Sequence, residues 1–283
     1  MPPSSSPLIW FITGTAHGFG WELLRAALER GDRVVATSRT PEKIEKAFAP
    51  YAHRLLALEV NLKNSADIEG AVEKALSTFG GVDILVNNAG YGLFGALEEL
   101  CDEEIRNLFE INFFALLKVT QALLPHFRER RRGHIINLSS MAGRTSRAGL
   151  GLYSATKFAI EGLSEALAQE VRELGIKVTV VEPGGFRTNC LSKEALSLAS
   201  TIIEDYSSSA GALRSWSERF HQQQPGNPAL AAEAIVKMTQ LENPPLHLLL
   251  GHDAYEAVTT HLKSLLQEIE QWREITLSTE FKD

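Results

Sequence analysis

The sequence predicts a doubly wound α/β domain built on a parallel sheet. Seven short apolar runs read as buried strands: Leu8–Thr13, Arg33–Thr37, Leu55–Glu59, Val82–Val86, His134–Leu138, Ile176–Val181 and Leu246–Leu250. Segments with helical apolar spacing separate them, and strand–helix alternation without repeats or linkers implies parallel strands with crossover helices. Glycine-rich or polar clusters follow several of the strands directly, at the ends where open α/β sheets bind ligands. Residues 1–283 are therefore read as one domain.

Composition narrows the class of function. A hydrophobic content of 44% and a charged content of 22% are those of a soluble globular protein. The formal charge of -7 gives no basic field for nucleic acid. The one basic run, Arg128–Arg132, is broken by Glu129 and ends a helix, where cations suit the helix dipole. Cys101 and Cys190 show neither disulfide nor metal spacing. Met1–Pro7 lacks the basic and apolar regions of a signal peptide, and no apolar run approaches a membrane span. The expectation is a cytoplasmic protein with a small-molecule partner, no nucleic acid and no membrane span.

The first strand runs into Thr13-Gly14-Thr15-Ala16-His17-Gly18-Phe19-Gly20, and a helix through Leu23, Leu24, Ala27 and Leu28 follows. Strand, glycine turn and helix are the context of a dinucleotide site. Glycines let the backbone approach a pyrophosphate, whose charge meets the helix N-terminus. The second strand ends at Ser38-Arg39-Thr40 with no acid to bind a ribose 2′-hydroxyl, while Arg39 could receive a 2′-phosphate. This favours NADP(H) over NAD(H). The helix after the third strand starts near Ser65, read as its N-cap. The fourth strand ends in Asn87-Asn88-Ala89-Gly90, polar amides placed at a strand's C-terminal end.

Asp102–Arg132 reads as one long helix with Asn112 inside its apolar face, a buried hydrogen-bonder or a site residue. The fifth strand closes on Ser139-Ser140. The helix that follows carries Tyr153 and Lys157 four residues apart, on one face. A tyrosine ordinarily titrates near pH ~10, and an adjacent ammonium favours its phenolate, so the pair has general acid/base chemistry. After the sixth strand come Pro183-Gly184-Gly185-Phe186-Arg187-Thr188 and a loosely patterned insert over 189–224, read as a substrate lid. Helices from Asn227-Pro228 and from Asp253 to Ile275 flank the last strand.

Taken together these motifs resemble the short-chain dehydrogenase/reductase family over Ile9 to about Ile275. The residues that carry the resemblance are Thr13-Gly-x-x-x-Gly-x-Gly20, Asn87-Asn-Ala-Gly90, Asn112, Ser140 thirteen residues before Tyr153, Tyr153-x-x-x-Lys157 and Pro183-Gly184. Within it, Tyr153-Ser-Ala-Thr-Lys-Phe-Ala and Gly251-His-Asp-Ala254 are most similar to the 17β-hydroxysteroid and retinol dehydrogenase branch. The resemblance implies a Rossmann-type sheet of seven parallel strands in the order 3-2-1-4-5-6-7. It implies a catalytic tetrad: Tyr153 exchanges a proton with the carbonyl or alcohol oxygen, Lys157 binds the nicotinamide ribose, Ser140 binds the substrate oxygen, and Asn112 holds a relay water.

It also implies that Gly14, Thr15, His17, Gly18, Phe19 and Gly20 surround the pyrophosphate. Ser38, Arg39, Glu59, Val60, Asn88, Ala89 and Gly90 then line the adenosine side, and Pro183, Gly184, Phe186 and Thr188 the nicotinamide. Glu59 stands where the family has Asp, which puts the adenine contact in question. The implied activity is ketone or aldehyde to alcohol interconversion. The alternatives are an NAD-linked alcohol dehydrogenase and a non-catalytic NADP-binding sensor. Tyr91, Leu93, Phe94, Leu191, Leu196, Leu198, Tyr206, Leu213, Trp216 and Phe220 suggest a hydrophobic or aromatic substrate. Apolar faces on the helices from Asp102 and Gly151 suggest a homodimer or homotetramer.

Overall fold

A computed structural model describes residues 6–188 and 196–281. Seven parallel strands form the main sheet: β1 (Ile9–Thr13), β2 (Arg33–Ser38), β3 (Leu55–Glu59), β4 (Ile84–Asn87), β6 (Gly133–Leu138), β7 (Ile176–Pro183) and β9 (His247–Leu250). Their spatial order is β3-β2-β1-β4-β6-β7-β9. Strands β5 (Gly92–Phe94) and β8 (Leu196–Leu198) pair apart from it. In the order of the seven sheet strands along the chain this is the expected 3-2-1-4-5-6-7 arrangement. It reverses direction between β1 and β4, which opens a crevice at the strands' C-terminal ends.

Alternate side chains of each strand serve opposite layers, as pleating requires. Trp10, Ile12, Ile84 and Val86 join Leu23, Leu24 and Leu28 of α1 (Gly18–Arg30) and Ile235 of α8 (Pro228–Met238). Phe11 and Leu85 face the other way. They meet Ile68 and Val72 of α3 (Ser65–Phe79), Leu123 and Phe127 of α5 (Ala115–Arg130), and Leu167 of α6 (Gly151–Glu170). At α3 the cap is Asn64 rather than Ser65, because the Asn64 side chain reaches forward to accept from Ala66 N at 3.0 Å.

The long helix departs from expectation in the middle. It runs as α4 (Asp102–Phe109), a π turn over Glu110–Phe114, then α5. The extra residue of the π turn carries Asn112, and such insertions cluster at functional sites. The run Asp102–Arg130 is also long and apolar enough to cross a membrane, contrary to the sequence reading. Spans are judged by length and composition, and the apolar residues here include Val119, Leu123 and Phe127, which are buried against the sheet.

Part of the expected lid, including Asn189 and Leu191, lies outside the described residues. The described remainder is anchored rather than loose. Strand β8 pairs in parallel with β5, and α7 (Ala210–Phe220) carries Arg214, which grips the buried Glu99 through Nη1–Oε2 at 2.5 Å and Nη2–Oε1 at 3.1 Å. Glu99 also accepts from Ala96 N and Ile203 N. The Arg214 bond holds its carboxyl down at about 2, with burial opposing. Such an ion pair is favourable only with both partners present. Arg214→Met is expected to leave Glu99 buried and uncompensated, and to lower stability by about 3–5 kcal/mol in urea unfolding at pH 7. A wild-type midpoint would show that the pair does not hold this segment.

Candidate active site

The glycine turn is built by contacts from two neighbouring strands. Gly14 turns the chain at φ 71°, in the left-handed region that favours glycine. Gly14 N and Thr15 N both donate to Thr37 O of β2 at 3.1 Å, and the Thr15 hydroxyl does the same. From the other side Asn88 Nδ2 donates to Thr13 O and Gly14 O, each at 2.9 Å. Asn88 N and Ala89 N in turn donate to Thr13 Oγ1 at 3.0 and 3.1 Å. A methyl group on Gly20 would collide with Gly14 O and lie 2.5 Å from Asn88 Nδ2, so the first turn of α1 can approach the loop only as glycine.

The open side of the loop is formed by His17, Gly18 and Phe19. The His17 side chain makes no cap bond at the N-terminus of α1, a 13-residue helix whose first-turn N–H groups suit an anion. Thr188 lies across Gly18, and the Phe19 and Phe186 rings meet at 5.1 Å. The pyrophosphate and nicotinamide portions of the expected site are thus adjacent. A cavity of about 280 Å³ here is lined by His17, Gly18, Lys43, Arg187, Thr188 and Gln222 among others. No motif in the sequence marks Lys43 or Gln222, whereas Arg187 lies within the Pro183–Thr188 stretch. Lys43 is brought in by α2 (Pro41–Ala47), and its Nζ donates to Ala16 O at 3.2 Å.

Arg39, Glu59 and Val60 line a second cleft of about 950 Å³, with Lys63 and Lys74 on its wall. Arg39 and Glu59 are exposed. The Val60 side chain packs in the core and its N–H is occupied by Ser38 O. The Ser38 hydroxyl accepts from Thr40 N at 3.0 Å and shapes this bend. Gly90 is exposed between Ala89 and Tyr91.

Beside the glycine turn, α6 brings Tyr153 and Lys157 to the ends of β6 and β7. Lys157 is buried, its Nζ 5.7 Å from the centre of the Tyr153 ring and donating to Leu138 O at 2.8 Å. Burial pushes the ammonium down to about 8, and Glu161 one helical turn away pulls it back up. Tyr153 is half-buried against Phe94, Leu150, Leu196 and Leu213. Ser140 Oγ accepts from Ala142 N at 3.1 Å and lies 3.5 Å from Pro183 O.

Asn112 is buried and its side chain is fully committed. It accepts from Tyr91 N at 3.0 Å and donates to Tyr91 O at 3.0 Å and to Thr156 Oγ1 at 3.2 Å. Thr156 Oγ1 donates to Tyr153 O at 2.7 Å, so Asn112 ties the strand after Asn88-Ala89-Gly90 to the turn that carries the tyrosine. Gly184 N donates to Leu250 O at 2.9 Å, and Gly185 N donates to Asp253 Oδ2 at 2.6 Å.

Behind Lys157 lies a polar cluster that the sequence did not reveal. Buried Glu161 and Glu182 meet His247, with His247 Nδ1 at 2.9 Å from Glu182 Oε1 and 3.5 Å from Glu161 Oε2. Arg144 Nε lies 3.2 Å from Glu182 Oε1. Burial first, and then the nearby Glu182 charge, holds the Glu161 carboxyl well above the usual carboxylate range. Its members come from α6, β7, β9 and the turn after Ser140, so no local spacing announces them.

Comparison with known proteins agrees with this geometry. A family model described as short chain dehydrogenase matches residues 9–197. The chain is 40% identical over 247 residues to a 3-ketodihydrosphingosine reductase of Bacteroides thetaiotaomicron, covering 87% of this chain and 88% of that protein. Its structure is similar to a short-chain dehydrogenase of Streptomyces avermitilis, with a TM-score of 0.91, 41% identity, and 98% of this chain and 100% of that one covered. The closed form of a serine dehydrogenase complexed with NADP+ aligns with a TM-score of 0.73 and 26% identity, over 86% of this chain and 94% of that one. The chain belongs to the short-chain dehydrogenase family of oxidoreductases.

The burial of Lys157 sets its titration. In protein labelled with 15N-lysine and free of cofactor, the Lys157 Nζ signal should titrate near 8, well below an ordinary lysine. Glu161→Gln removes the charge that raises it and should move the midpoint lower still. A midpoint in the ordinary lysine range would contradict the buried placement.

Proposed function

We propose that this protein is an NADP(H)-dependent oxidoreductase that interconverts a ketone or aldehyde with an alcohol, on a hydrophobic or aromatic substrate. The observation that carries the reading is that Lys157 lies over the Tyr153 ring and bonds Leu138 O, two residues before Ser140, at the C-terminal ends of β6 and β7. The glycine turn fits a dinucleotide: among the described residues, a methyl group on Gly18 would meet only Thr188 atoms, at 3.7 and 3.9 Å, which leaves room for a close backbone approach.

When bound, the nicotinamide supplies the two-electron chemistry, and the protein orients it and handles the proton. Gly18, Phe19 and the α1 terminus hold the pyrophosphate, and Lys157 uses the donors left after its Leu138 bond on ribose hydroxyls. Its charge favours the phenolate of Tyr153, which gives or takes the proton at the substrate oxygen. Ser140 donates to that same oxygen and stabilises its developing charge. Asn112 orients this centre through Tyr91 and Thr156, and its relay role is assigned to the backbone of the π turn rather than to its occupied side chain.

Arg39, which directly follows β2, supports selection of a 2′-phosphate. The apolar surround of Tyr153 supports a greasy substrate, and the similarity to a 3-ketodihydrosphingosine reductase supports the same reading. A cytoplasmic setting, a single domain, and a dimer or tetramer formed through α4–α5 and α6 complete the proposal; Phe114 and Phe158 are exposed on those helices.

Tyr153→Phe is expected to lower kcat at least 100-fold with ketone and NADPH while leaving NADPH affinity within about twofold, since proton transfer by a positioned group contributes roughly 10²–10⁴. Retention of most of the rate would remove Tyr153 from the acid/base role. Arg39→Ala should weaken NADPH about tenfold or more and leave NADH unchanged, as losing a charge-assisted phosphate contact costs about 1.5–3 kcal/mol. Equal weakening of both cofactors in calorimetric titration would overturn the 2′-phosphate assignment.

A further inference from the structure

Two carboxyl groups and an imidazole meet behind Lys157, in a place the proposed reaction does not use. The fold assembles them from three elements. His247 of β9 is in register with Val180 of β7, two residues before Glu182, so the two side chains leave the sheet on one face. Val180 packs on that face against Ile160 of α6, and Glu161 follows Ile160 in the same layer. The ligand atoms of Glu161, Glu182 and His247 all lie within 4.8 Å of one another.

Glu161 is the group that lacks a partner. It is 4% exposed, yet among the described residues neither of its carboxylate oxygens has a hydrogen-bond donor in place. The Ser139 hydroxyl, which borders the same space beside Gly143, is unpartnered as well. A carboxylate taken out of water in this way needs a compensating charge. The local charges do not supply it. Glu161, Glu165 and Glu182 bring three negative charges. Arg144 brings one positive charge, with Nε 3.2 Å from Glu182 Oε1 and Nη1 3.5 Å from Glu165 Oε1. With His247 neutral, as a ligating imidazole must be, two negative charges are left over. That is the charge of one divalent cation.

We propose that Glu161, Glu182 and His247 form a binding site for a divalent cation, with zinc the ion that suits the donor set. His247 Nδ1 lies 2.9 Å from Glu182 Oε1 and 3.5 Å from Glu161 Oε2. Zinc bonds of ~2.0–2.2 Å set tetrahedral ligand atoms roughly 3.3–3.5 Å apart, so these spacings need change by only about half an ångström. One imidazole with two carboxylates suits zinc, whereas magnesium asks for an octahedron of oxygens. The other ring nitrogen, Nε2, is 3.4 Å from Glu165 Oε1. A ligating histidine characteristically gives that N–H to a carboxylate, which fixes its tautomer and aims the ring. Glu165 is half-exposed, so an ion can enter from solvent. Once bound, the ion would tie α6, which carries Tyr153 and Lys157, to β7 and to the edge strand β9 without touching substrate.

The test uses Zn²⁺ on the full chain, stripped with a chelator and carrying Cys101→Ser and Cys190→Ser so that no thiolate competes. Calorimetric titration at neutral pH should give one ion per chain. X-ray absorption should show nitrogen and oxygen ligands only, at ~2.0–2.2 Å, with the signature of one imidazole. Glu165→Gln should weaken the ion by about 10–100-fold, and His247→Asn, which removes a ligand, by more than that. No uptake overturns the proposal, since protons alone then balance the cluster. Uptake of equal affinity in His247→Asn also overturns it, because the ion then sits elsewhere on the surface. Should His247→Asn fail to fold, Glu165→Gln still decides: its change lies at a half-exposed position, and unchanged affinity there rejects the site. Neither readout uses turnover, so the outcome is independent of the proposed reaction.

Discussion

The small set of hydrogen bonds between Thr13, Asn88 and the glycine turn is the constraint on which the candidate site depends. One amide group of Asn88 holds two backbone oxygens of the turn, while Thr13 Oγ1 accepts two backbone N–H groups after β4. Those oxygens sit at strand ends where no neighbouring strand can pair with them. Asn88 satisfies those oxygens and so holds the turn against the start of α1. The close fit at Gly20 follows from the same clamp, since Asn88 Nδ2 occupies the space a side chain would take. The adjacent placement of β1 and β4, forced by the sheet order, is what lets the clamp close.

A second constraint is the burial of charge around Lys157. An ammonium removed from water must be compensated, and here a carbonyl oxygen and a carboxyl group one turn along the helix share that task. Glu161 is itself buried next to Glu182, and Arg144 beside them reduces the repulsion between the two. The helix α6 therefore carries a tyrosine toward the apolar cleft, a lysine toward the cofactor side, and a carboxylic acid toward the interior. Three successive turns present three different environments on one rigid element, which keeps their relative positions independent of loop motion.

Much of this was legible in the chain. The seven strands appear as apolar runs because parallel strands are covered on both faces, and the motifs stand out because glycine and amides rarely follow such runs without cause. Asn112 was flagged as a polar residue among apolar ones, but the π turn around it was not foreseeable: one extra residue in a helix leaves the apolar spacing nearly unchanged. Val60 shows the reverse error of resolution. Its neighbourhood in the cleft was expected, yet its side chain turns into the core, since successive residues at a strand end face opposite layers. The insert after β7 read as loosely patterned because Arg214 on α7 pairs with Glu99, more than a hundred residues earlier, and such a partnership leaves no local periodicity.

By itself the sequence determined the class of fold, the family, and the residue types that carry proton and cofactor chemistry, because these depend on periodicity and on short spacings along one helix or one turn. Only the tertiary structure decided that Asn88 serves the glycine turn and that the Asn112 side chain is spent on Tyr91. It alone brought Glu161, Glu182, His247 and Arg144 into one cluster. The physical reason is the same throughout. Covalent neighbours reveal themselves by spacing, whereas charges and apolar faces find partners by the packing of elements that are distant in the chain.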